Sequence, residues 1–380
     1  MHVFWVAGEA SGDRHAARLI DALNETGAGW THSGMGGPKM QEAGCRAVAD
    51  ISEMSVMGLV EVIRHLPRIF RLRDRLLEQI REQQPDLVVL VDLPDFNLAL
   101  LKKLRREFGR TLRVMYFISP QVWAWRRGRA RTMAAQLNAM AVLFPFEVDF
   151  YERYGLETVY FGHPLAGEVA PSADRATLRR EFELSDGLEA VALMPGSRSH
   201  EVERHLPVQL AAVERYRQLH PNVQALVVLA RGIPQTLVDE LVEDRPWVTI
   251  VNRRAYDALH AADAALVKSG TSTVEAALIG TPFVVMYIVS GTTYFLARLL
   301  IKGVKHIAMV NVLAGRGLVR ERIQFDAGPK RLAEDLEDLR EGPYREEVIQ
   351  GLSEVADLLG QPGAMKRLAC WMVERFGETP

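Results

Sequence analysis

Short β-rich runs alternate with helical segments along the chain, and this alternation constrains the fold more than any other feature. Strands that alternate with amphipathic helices form parallel sheets with helices packed on both faces. The runs fall into two sets, separated by residues 164–174, which we interpret as a linker. We therefore predict an α/β protein with two Rossmann-like, doubly wound domains facing each other across a cleft, at 1–165 and 175–354. The predicted strands are Val3–Ala7, Leu87–Val91, Leu112–Ile118, Met140–Phe144, Thr158–Phe161, Ala190–Met194, Gln224–Leu229, Val248–Val251, Ala264–Val267 and Phe283–Ile288.

A cluster of small hydroxyl residues follows one of these strands and leads directly into a helix, in the sequence KSGTSTVEAALIGTP. The start of such a helix exposes unpaired backbone N–H groups and the positive end of the helix dipole, which together suit a phosphate. Glu275 shares a helix face with the hydroxyls, where its carboxylate could accept both hydroxyls of a ribose. The alternative is an S-x-x-E capping box without a ligand, and this segment alone does not decide between the two. The candidate phosphate donors here are Ser269, Gly270, Thr271 and Ser272.

A second strand, glycine turn and helix occur in the same predicted domain, in the sequence PGSRSHEVERHLP. Gly196 and Ser197 offer backbone and hydroxyl donors, and Arg198 offers a guanidinium for phosphate oxygens, with Ser199 as the expected N-cap. A surface ion pair is the alternative role of Arg198. Both helix starts follow strand carboxyl ends, so they lie on one rim of the sheet. Together they support a bound diphosphate better than either motif does alone. For Glu275, this favours nucleotide binding over the capping box. A polar loop near the same sheet edge adds Asn311 and Arg316.

The first predicted strand ends in the turn GEASGD, which is not a G-x-G-x-x-G dinucleotide fingerprint. The carboxyl end of a strand is where doubly wound sheets bind ligands, so polar residues here are candidates for a site. For Ser11 and Asp13, local sequence favours helix capping. A second glycine-rich turn is predicted at 34–40. The candidate residues of the first turn are Glu9, Ser11, Gly12 and Asp13.

The motif VDLPDFN places Asp95 at the carboxyl end of another strand, beside Asn97. A carboxylate on such a rim can take the proton from an attacking hydroxyl, although local sequence alone favours an N-cap role for Asp95. The next strand ends in FISPQVWAWRRGR, whose Gln121 and Trp123 suit a sugar ring or a phosphate. An aromatic packing corner is the alternative.

An arginine-rich amphipathic segment lies between residues 54 and 79. Pro67 predicts a break or kink into two helical pieces. A basic amphipathic helix can lie on an anionic membrane, whereas a core helix with a solvated arginine face is the more common explanation. Residues 292–305 have a similar composition. The apolar stripe comprises Leu59, Val62, Ile63, Leu66, Ile69 and Phe70, and the neighbouring arginines are Arg64, Arg68, Arg71 and Arg75.

Composition excludes several classes of protein. The 380 residues, 48% hydrophobic and 25% charged, are typical of a globular protein with two domains. A formal net charge of −2 gives no global basic field, so we expect no nucleic-acid partner. Cys45 and Cys370 form no metal-ligand pattern, and we predict neither a metal nor a cofactor. We also predict no signal peptide and no membrane span, because polar residues interrupt the longest apolar stretch, 283–301.

These motifs, in this order, resemble those of the lipid-A-disaccharide synthase family, glycosyltransferases (family 19) with the GT-B fold. Singly, several are weak, but as an ordered set they are highly specific, and they extend from residue 7 to about 324. The matching stretches are AGEASGD (7–13), GMGGPKMQ (34–41), SVMGLVEV (55–62), VDLPDFN (91–97), ISPQVWAWR (118–126), LFPFE (143–147), GHPL (162–165), MPGSRSHEVE (194–203), SGTSTVEA (269–276) and NVLAGRGLV (311–319).

The resemblance implies that UDP-2,3-diacylglucosamine donates its sugar to the 6-hydroxyl of 2,3-diacylglucosamine 1-phosphate. The products would be the β-1,6 disaccharide and UDP, formed with inversion and without a metal. It implies Asp95 as the catalytic base, supplied by the N-terminal domain across the cleft, and an acceptor side formed from the first domain's motifs. The donor would occupy the two helix starts, with Glu275 on the ribose.

The resemblance also implies a location. Both implied substrates have acyl chains anchored in a bilayer, which favours membrane contact by the arginine-rich helix. We therefore predict a cytoplasmic protein bound peripherally to the inner face of the inner membrane of a Gram-negative cell. The C-terminal helices, about 355–380, are expected to pack on an N-terminal domain, either their own or that of a partner in a homodimer.

Three alternatives share parts of this pattern. A non-hydrolysing UDP-sugar epimerase uses the same scaffold and a similar UDP site, but needs further carboxylates in the cleft. A transferase acting on a polyprenyl-linked acceptor shares the fold and lacks VDLPDFN and SVMGLVEV. A non-catalytic UDP-sugar-binding membrane protein would bind UDP without turnover. Fold alone does not choose among them, because function depends on the site.

Overall fold

The chain forms two compact units. In the computed structural model, the residues described are 1–54, 59–124, 127–184, 187–291, 294–295 and 305–377, and the side chains of 59–66 lie outside this description. The first unit comprises Met1–Pro164 together with Gly360–Pro380, and the second comprises Leu165–Leu359. The predicted linker, 164–174, therefore begins at the division between the units and continues into the second.

The first unit is built on a parallel sheet with the strand order β3-β2-β1-β4-β5-β6-β7. The order reverses between β1 and β4, which is the topological switch point where doubly wound sheets bind ligands. The strands are β1 (His2–Ala7), β2 (Thr31–Gly36), β3 (Arg46–Asp50), β4 (Leu87–Val91), β5 (Arg113–Phe117), β6 (Ala139–Ala141) and β7 (Thr158–Val159).

Helices cover both faces of this sheet. One face buries Trp5, Val89 and Phe117, and the other buries Phe4, Leu90 and Tyr116, since successive side chains of a strand point to opposite faces. Strands covered on both faces are continuously apolar, as VFWVA and LVVLV are. The helices of this unit are α1 (Ala10–Glu25), α2 (Pro38–Glu42), α3 (Leu59–Gln83), α4 (Pro94–Phe108), α5 (Gly128–Gln136), α6 (Phe146–Glu152) and, from the C-terminus, α15 (Ala364–Phe376).

The C-terminal helix α15 returns to the first unit of its own chain. Leu368, Met372 and Phe376 join the apolar core on the α1 side of the sheet. Arg113 donates to the carbonyl of Phe376 at 2.9 Å, which fixes the end of the helix beside β5. Residues 355–359 belong instead to the last turn of a helix in the second unit, so the return begins at Gly360.

The second unit repeats the same topology, with the strand order β10-β9-β8-β11-β12-β13. All its strand pairs are parallel, and the switch point lies between β8 and β11. The strands are β8 (Glu189–Met194), β9 (Val223–Leu229), β10 (Val248–Asn252), β11 (Ala264–Lys268), β12 (Phe283–Tyr287) and β13 (Glu321–Ile323). The helices are α7 (Arg175–Glu181), α8 (Ser199–Arg217), α9 (Gln235–Val242), α10 (Ala255–Ala261), α11 (Ser272–Ile279), α12 (Met309–Ala314), α13 (Pro329–Arg340) and α14 (Pro343–Leu359).

The predicted strands all occur, with ends that shift by at most three residues, and three strands were missed. The glycine-rich turn predicted at 34–40 is wrong, because THSGMG forms β2 and the helix α2 follows it. β2, β3 and β13 contain glycine, charged or polar residues in place of a β-branched run, so propensity does not reveal them. β2 and β13 each pair with an apolar neighbour, β1 and β12, whereas β3 is the edge strand beside β2.

The break predicted at Pro67 is also wrong, since α3 is one helix from Leu59 to Gln83. Pro67 is exposed, so water can hydrate the carbonyl group that its ring leaves without a helical partner. Beyond it, Leu72, Leu76 and Ile80 are buried against the sheet and hold the helix in place. None of the helices in the described ranges is both long and apolar enough to cross a membrane.

Asp13 links α1 to the start of α2. Its carboxylate is 3% exposed and accepts backbone N–H groups from Gly37 at 2.7 Å, Lys39 at 3.1 Å and Met40 at 3.0 Å. These donors are the otherwise unpaired amides at the start of α2. The expectation that Asp13 or Ser11 caps its own helix is wrong, because the N-cap of α1 is Glu9 and Asp13 caps a different helix.

We expect Asp13→Ala to lower the free energy of unfolding of the first unit by about 2–4 kcal/mol, because three buried N–H groups lose a charged acceptor. Thermal unfolding and amide hydrogen exchange of residues 37–40 measure the effect. Asp21→Ala, at an exposed position of the same helix, is the control and leaves both unchanged. Equal protection of residues 37–40 in wild type and Asp13→Ala would show that the carboxylate does not hold α2.

Candidate active site

Two predicted anion-binding loops meet at the switch point of the second unit. β8 and β11 are hydrogen-bonded neighbours in parallel register, with Leu193 opposite Leu266 and Met194 opposite Val267. The loop PGSR follows β8 and the loop SGTST follows β11, so both lie at the same edge of the sheet. The structure therefore brings together the two motifs whose shared rim the sequence predicts.

The helix after SGTST is not closed by a capping box. α11 begins at Ser272, its N-cap is Thr271, and no side chain caps it. The Glu275 carboxylate accepts a hydrogen bond from the Tyr256 hydroxyl at 3.3 Å, and both side chains are half-buried. Gly270 and Thr271 are exposed. The capping-box alternative is therefore wrong. The amides of Thr273 and Val274 donate instead to the backbone carbonyls of Gly270 and Thr271, at 3.2 and 2.9 Å.

The loop after β8 differs from expectation in one contact. The Ser197 amide, expected to be a free phosphate donor, donates to the Glu201 carboxylate at 3.0 Å. Arg198 is the N-cap of α8, so the assignment of Ser199 as N-cap is wrong. The Arg198 side chain is 71% exposed and lies 3.5 Å from Glu201. Its guanidinium is thus at the surface of the loop, where it forms a weak ion pair with Glu201.

Asn311 is 1% exposed and lies in α12, so the expectation that it belongs to a polar loop is wrong. Its amide nitrogen donates to the Val319 carbonyl and to Glu321, both at 2.8 Å, and its oxygen accepts the Val319 amide at 2.9 Å. Arg316 lies in the loop between and is 3.4 Å from Glu354. Asn311 is therefore fully hydrogen-bonded within the protein and fixes the loop that carries Arg316.

At the switch point of the first unit, acidic residues follow both central strands. Glu9 comes after β1 and is exposed, while Asp92 comes after β4 and is half-buried. Burial, together with the charge of Glu9, raises the pKa of Asp92. Gly12 is buried in the first turns of α1, and Ser11 beside it is half-buried.

The turn VDLPDFN adopts a strained backbone that presents Asp95. Asp92 and Leu93 both have left-handed conformations, with φ of 46° and 49°, which are unfavourable for residues other than glycine. Asn97 is fully buried, and its amide donates to the Asp92 carbonyl at 2.8 Å. The Tyr116 hydroxyl donates to the same carbonyl at 2.5 Å. These bonds stabilise the turn, so Asn97 holds the backbone of the site and is not exposed to a ligand.

Asp95 is the exposed carboxylate of this turn. α4 begins at Pro94 and its N-cap is Leu93, so the alternative role of Asp95 as N-cap is wrong. The Asp95 side chain is 76% exposed and forms an ion pair with Arg129 at 2.7 Å. Arg129, on α5, thus lies against the proposed base, and the sequence pattern did not single it out.

The loop after β5 is held from beneath by Glu147, which is 2% exposed. The Ser119 hydroxyl and the Phe144 amide, the latter at 3.2 Å, donate to its carboxylate. Burial raises the pKa of Glu147 to about 7. In the loop above, Gln121 is exposed, and Trp123 is half-buried with its ring edge-on to Phe146 at 5.0 Å. Trp123 therefore forms the packing corner that was the alternative, while part of its ring stays accessible.

The arginine-rich helix is described only in part. The side chains of Leu59, Val62, Ile63, Arg64 and Leu66 lie outside the described residues, as does most of 292–305. Ile69 packs against the core, which differs from its expected place in an exposed stripe. Exposed side chains in the described part of the segment include Arg68, Phe70 (47% exposed) and Arg71. Arg75 is exposed as well and pairs with Glu53 at 2.6 Å.

Four residues important to the site were not selected from the sequence: Arg129, Glu147, Glu201 and Lys268. Glu147 lies in the motif LFPFE and Glu201 in MPGSRSHEVE, so the motifs contained them without indicating a role. Among the residues described, no cluster of three His, Cys, Asp or Glu side chains has a geometry suited to a metal ion.

Two solved structures illustrate the fold. The glycosyltransferase of kitacinnamycin is 18% identical over 99% of this chain and 98% of its own, with a TM-score of 0.63. A UDP-GlcNAc 2-epimerase from Neisseria meningitidis, bound to UDP-GlcNAc, is 11% identical over all of both chains, with a TM-score of 0.60. At these identities the likeness shows the fold alone, which is the two-sheet α/β fold of GT-B glycosyltransferases.

Sequence relatives identify the family. The lipid-A-disaccharide synthetase family model matches residues 3–366. The lipid-A-disaccharide synthase of Anaeromyxobacter dehalogenans (strain 2CP-C) is 43% identical over 367 residues, 96% of this chain and 94% of that protein. That of Geobacter sulfurreducens is 40% identical over 375 residues, 98% and 97% of the two. The chain belongs to the lipid-A-disaccharide synthase family, and it is a glycosyltransferase of lipid A biosynthesis, so the epimerase alternative is set aside.

The buried carboxyl of Glu147 makes stability depend on pH. Its pKa is about 7 in the folded protein, against an ordinary value of 4.5, so the folded state binds this proton more tightly than the unfolded state. Stability from this group is therefore present below pH 4.5 and is lost as pH rises through 7. Glu147→Gln keeps an acceptor for Phe144 and removes the charge. We expect it to raise the unfolding temperature at pH 8.5 and to change it little at pH 5.

The control is Glu152→Gln, an exposed position of the same helix, which should shift the unfolding temperature equally at both pH values. A Glu147→Gln protein that is less stable than wild type at pH 8.5 would show that Glu147 is charged and needed as a carboxylate.

Proposed function

We propose that this enzyme transfers 2,3-diacylglucosamine from UDP-2,3-diacylglucosamine to the 6-hydroxyl of 2,3-diacylglucosamine 1-phosphate, giving the β-1,6 disaccharide 1-phosphate and UDP. The observation that carries the donor assignment is the pairing of β8 with β11, which gathers two loops rich in amide and hydroxyl donors at one switch point. The acceptor and the linkage come from the family to which the chain belongs.

On the donor side, the diphosphate binds at the start of α11 and beside PGSR. The amides of residues 270–272 and the hydroxyls of Ser269, Thr271 and Ser272 donate to phosphate oxygens, and Glu275 accepts the ribose hydroxyls. The exposed Arg198 guanidinium approaches the diphosphate bidentately, since little holds it elsewhere. Gly196 and Gly270 shape the two loops, and Arg316 approaches from the loop that Asn311 fixes.

Departure of UDP concentrates negative charge on the oxygen that leaves the anomeric carbon. Fixed donors aimed at that charge lower the barrier because they need no rearrangement during the reaction. Arg198 and the start of α11 provide such donors, and both lie at the edge where β8 and β11 end. These groups stabilise the leaving group in the transition state more than in the bound substrate.

On the acceptor side, Asp95 acts as the general base. Its carboxylate takes the proton from the 6-hydroxyl as that oxygen bonds to the anomeric carbon, and the bond from this carbon to the UDP oxygen breaks with its electron pair. One displacement inverts the anomeric centre. Arg129, 2.7 Å from Asp95, fixes the direction of the carboxylate.

The remaining acceptor residues divide into two groups by exposure. Glu9, Ser11, Gln121 and Trp123 are accessible at the loops of the first unit and contact the sugar or its phosphate. Asp13, Asn97 and Gly12 are buried and act by shaping these loops.

The enzyme reaches its lipid substrates through the arginine-rich helix, at the cytoplasmic surface of the inner membrane. Arg68, Phe70 and Arg71 are all exposed, and they lie close together in the sequence. Each arginine near an anionic bilayer contributes about 1 kcal/mol of binding, and an aromatic side chain adds apolar burial in the headgroup region.

Turnover of the two lipid substrates in detergent tests the reaction, with Asp95→Asn and Glu275→Ala as a matched pair. We expect wild type to form disaccharide phosphate and UDP. Asp95→Asn should bind UDP normally and lose about 10²–10⁴-fold in kcat, because it cannot take a proton. Glu275→Ala should bind UDP about 10-fold or more weakly, because the ribose loses a charged acceptor.

The outcomes separate the parts of the proposal. Wild type that binds UDP but forms no disaccharide contradicts the acceptor assignment. Full activity of Asp95→Asn contradicts the base, and unchanged UDP affinity of Glu275→Ala contradicts the ribose contact.

Flotation with vesicles tests the membrane surface. We expect wild type to bind vesicles containing phosphatidylglycerol more tightly than pure phosphatidylcholine vesicles. The double variant Arg68→Gln/Arg71→Gln should lose roughly 30-fold in affinity for the anionic vesicles, from two charges at about 1 kcal/mol each.

Arg81→Gln is the control, because it removes a charge of 56% exposure from the other end of the same helix. If it weakens binding as much per charge as the double variant, the attraction is general and this face is not the contact.

A further inference from the structure

A buried ion pair joins the two loops of the donor site. Lys268 is the last residue of β11, and its ammonium lies 3.0 Å from the carboxylate of Glu201, on α8. The side chains of Lys268 and Glu201 are only 16% and 8% exposed. The same carboxylate accepts the Ser197 amide and lies near Arg198. The Glu201 carboxylate therefore contacts positive groups from both loops: the Ser197 amide and Arg198 of PGSR, and Lys268 directly before SGTST.

The two loop glycines lie against this pair, and Gly196 leaves room for its carboxylate. Gly196 has φ of 133°, and a Cβ there would lie 2.5 Å from a Glu201 carboxylate oxygen. Gly270 has φ of 155°, and a Cβ there would lie 3.6 Å from the Lys268 ammonium. Both conformations are ones that favour glycine. The carboxylate thus fills the inner side of one loop, and the ammonium lies against the backbone of the other.

Neighbouring side chains fix both partners. His205 bonds the Glu201 carbonyl at 2.8 Å and accepts the Ile288 amide at 3.0 Å, so Nδ1 carries its proton. Burial lowers the pKa of His205, which keeps it neutral. The Lys268 ammonium lies 5.3 Å from the centre of the Tyr287 ring. An ammonium held between a carboxylate and an aromatic face has a defined position at the edge of the sheet.

We propose that Lys268 is a further donor-binding residue, and that the diphosphate replaces Glu201 as its counter-charge. The inference rests on the proposed binding of a UDP-sugar at this edge. Glu201 then has two effects: it holds the ammonium in place while the site is empty, and its negative charge opposes the incoming diphosphate. Lys268 also faces the charge that develops on departing UDP, where an ammonium acts as a compact point charge.

The pair predicts opposite effects for its two members. Lys268→Met removes a cation and should weaken UDP binding about 10- to 100-fold. Glu201→Gln keeps an acceptor for the Ser197 amide, removes the opposing charge, and should tighten UDP binding severalfold. A pair that serves only to hold the fold together would weaken binding in both variants.

Calorimetric titration with UDP and with uridine tests the proposal. We expect uridine to bind wild type, Lys268→Met and Glu201→Gln alike, because it has no phosphate. Lys268→Arg should restore most of the UDP affinity that Lys268→Met loses. The control is Lys330→Met, at a 76% exposed position of the same unit, with wild-type affinity for both ligands.

Three results would overturn the proposal: unchanged UDP affinity in Lys268→Met, an equal loss for uridine and UDP, or weaker UDP binding in Glu201→Gln. If Glu201→Gln does not fold, the comparison of Lys268→Met with Lys268→Arg and of UDP with uridine still decides. Wild type that binds no UDP contradicts the proposed function itself, whereas failure of the variants alone contradicts only the role of Lys268.

Discussion

The parallel pairing of β8 with β11 is the constraint on which the proposed donor site depends. Neighbouring parallel strands end at one edge, so the turns that follow them lie side by side whatever their sequences. Here both turns lead into helices, and each helix start has amide groups that need an acceptor. Positive groups converge at this edge because of topology, and Glu201 supplies the negative charge that keeps the convergence stable in the ligand-free protein.

The first unit has the same strand order but the opposite local charge. At its switch point, acidic residues follow the neighbouring strands β1 and β4. Glu9, Asp92 and Asp95 therefore lie at the same edge of the sheet. Such an edge suits the acceptance of a proton from a hydroxyl group. One topology used twice therefore supports two tasks, and the difference comes from side chains placed at equivalent positions of the two sheets.

Sequence reasoning identified what depends on continuous apolar runs and on chain order. β4 was predicted to the residue, and the two donor loops were placed on one rim because parallel strands leave no other arrangement. The polar strands β2 and β13 were missed, since their stability comes from the strand beside them. Likewise, a break was predicted at Pro67 from the local effect of proline on a helix. The helix continues because the residues after Pro67 pack against the core.

The site residues divide in the same way. A motif shows which residue types are present but not which of them are exposed, and exposure separates Asp95 from Asn97 in one seven-residue stretch. Asp13 has the same carboxyl group as Asp95, yet it is occupied by three backbone amides from a helix 24 to 27 residues away. No local pattern gives such a contact, because it depends on where α2 begins relative to α1.

The fold itself does not select the chemistry, since an epimerase and a glycosyltransferase both match it at low identity. What distinguishes this chain is the arrangement of charge at the strand ends. A transferase must bind the diphosphate of its donor and then release UDP, so unopposed cations at the site would slow release. An acidic side chain built between the two loops offsets part of that attraction, and Glu201 occupies this position with both Lys268 and the Ser197 amide as partners. Its burial among these partners fixes the opposing charge, which under our proposal favours the release of UDP.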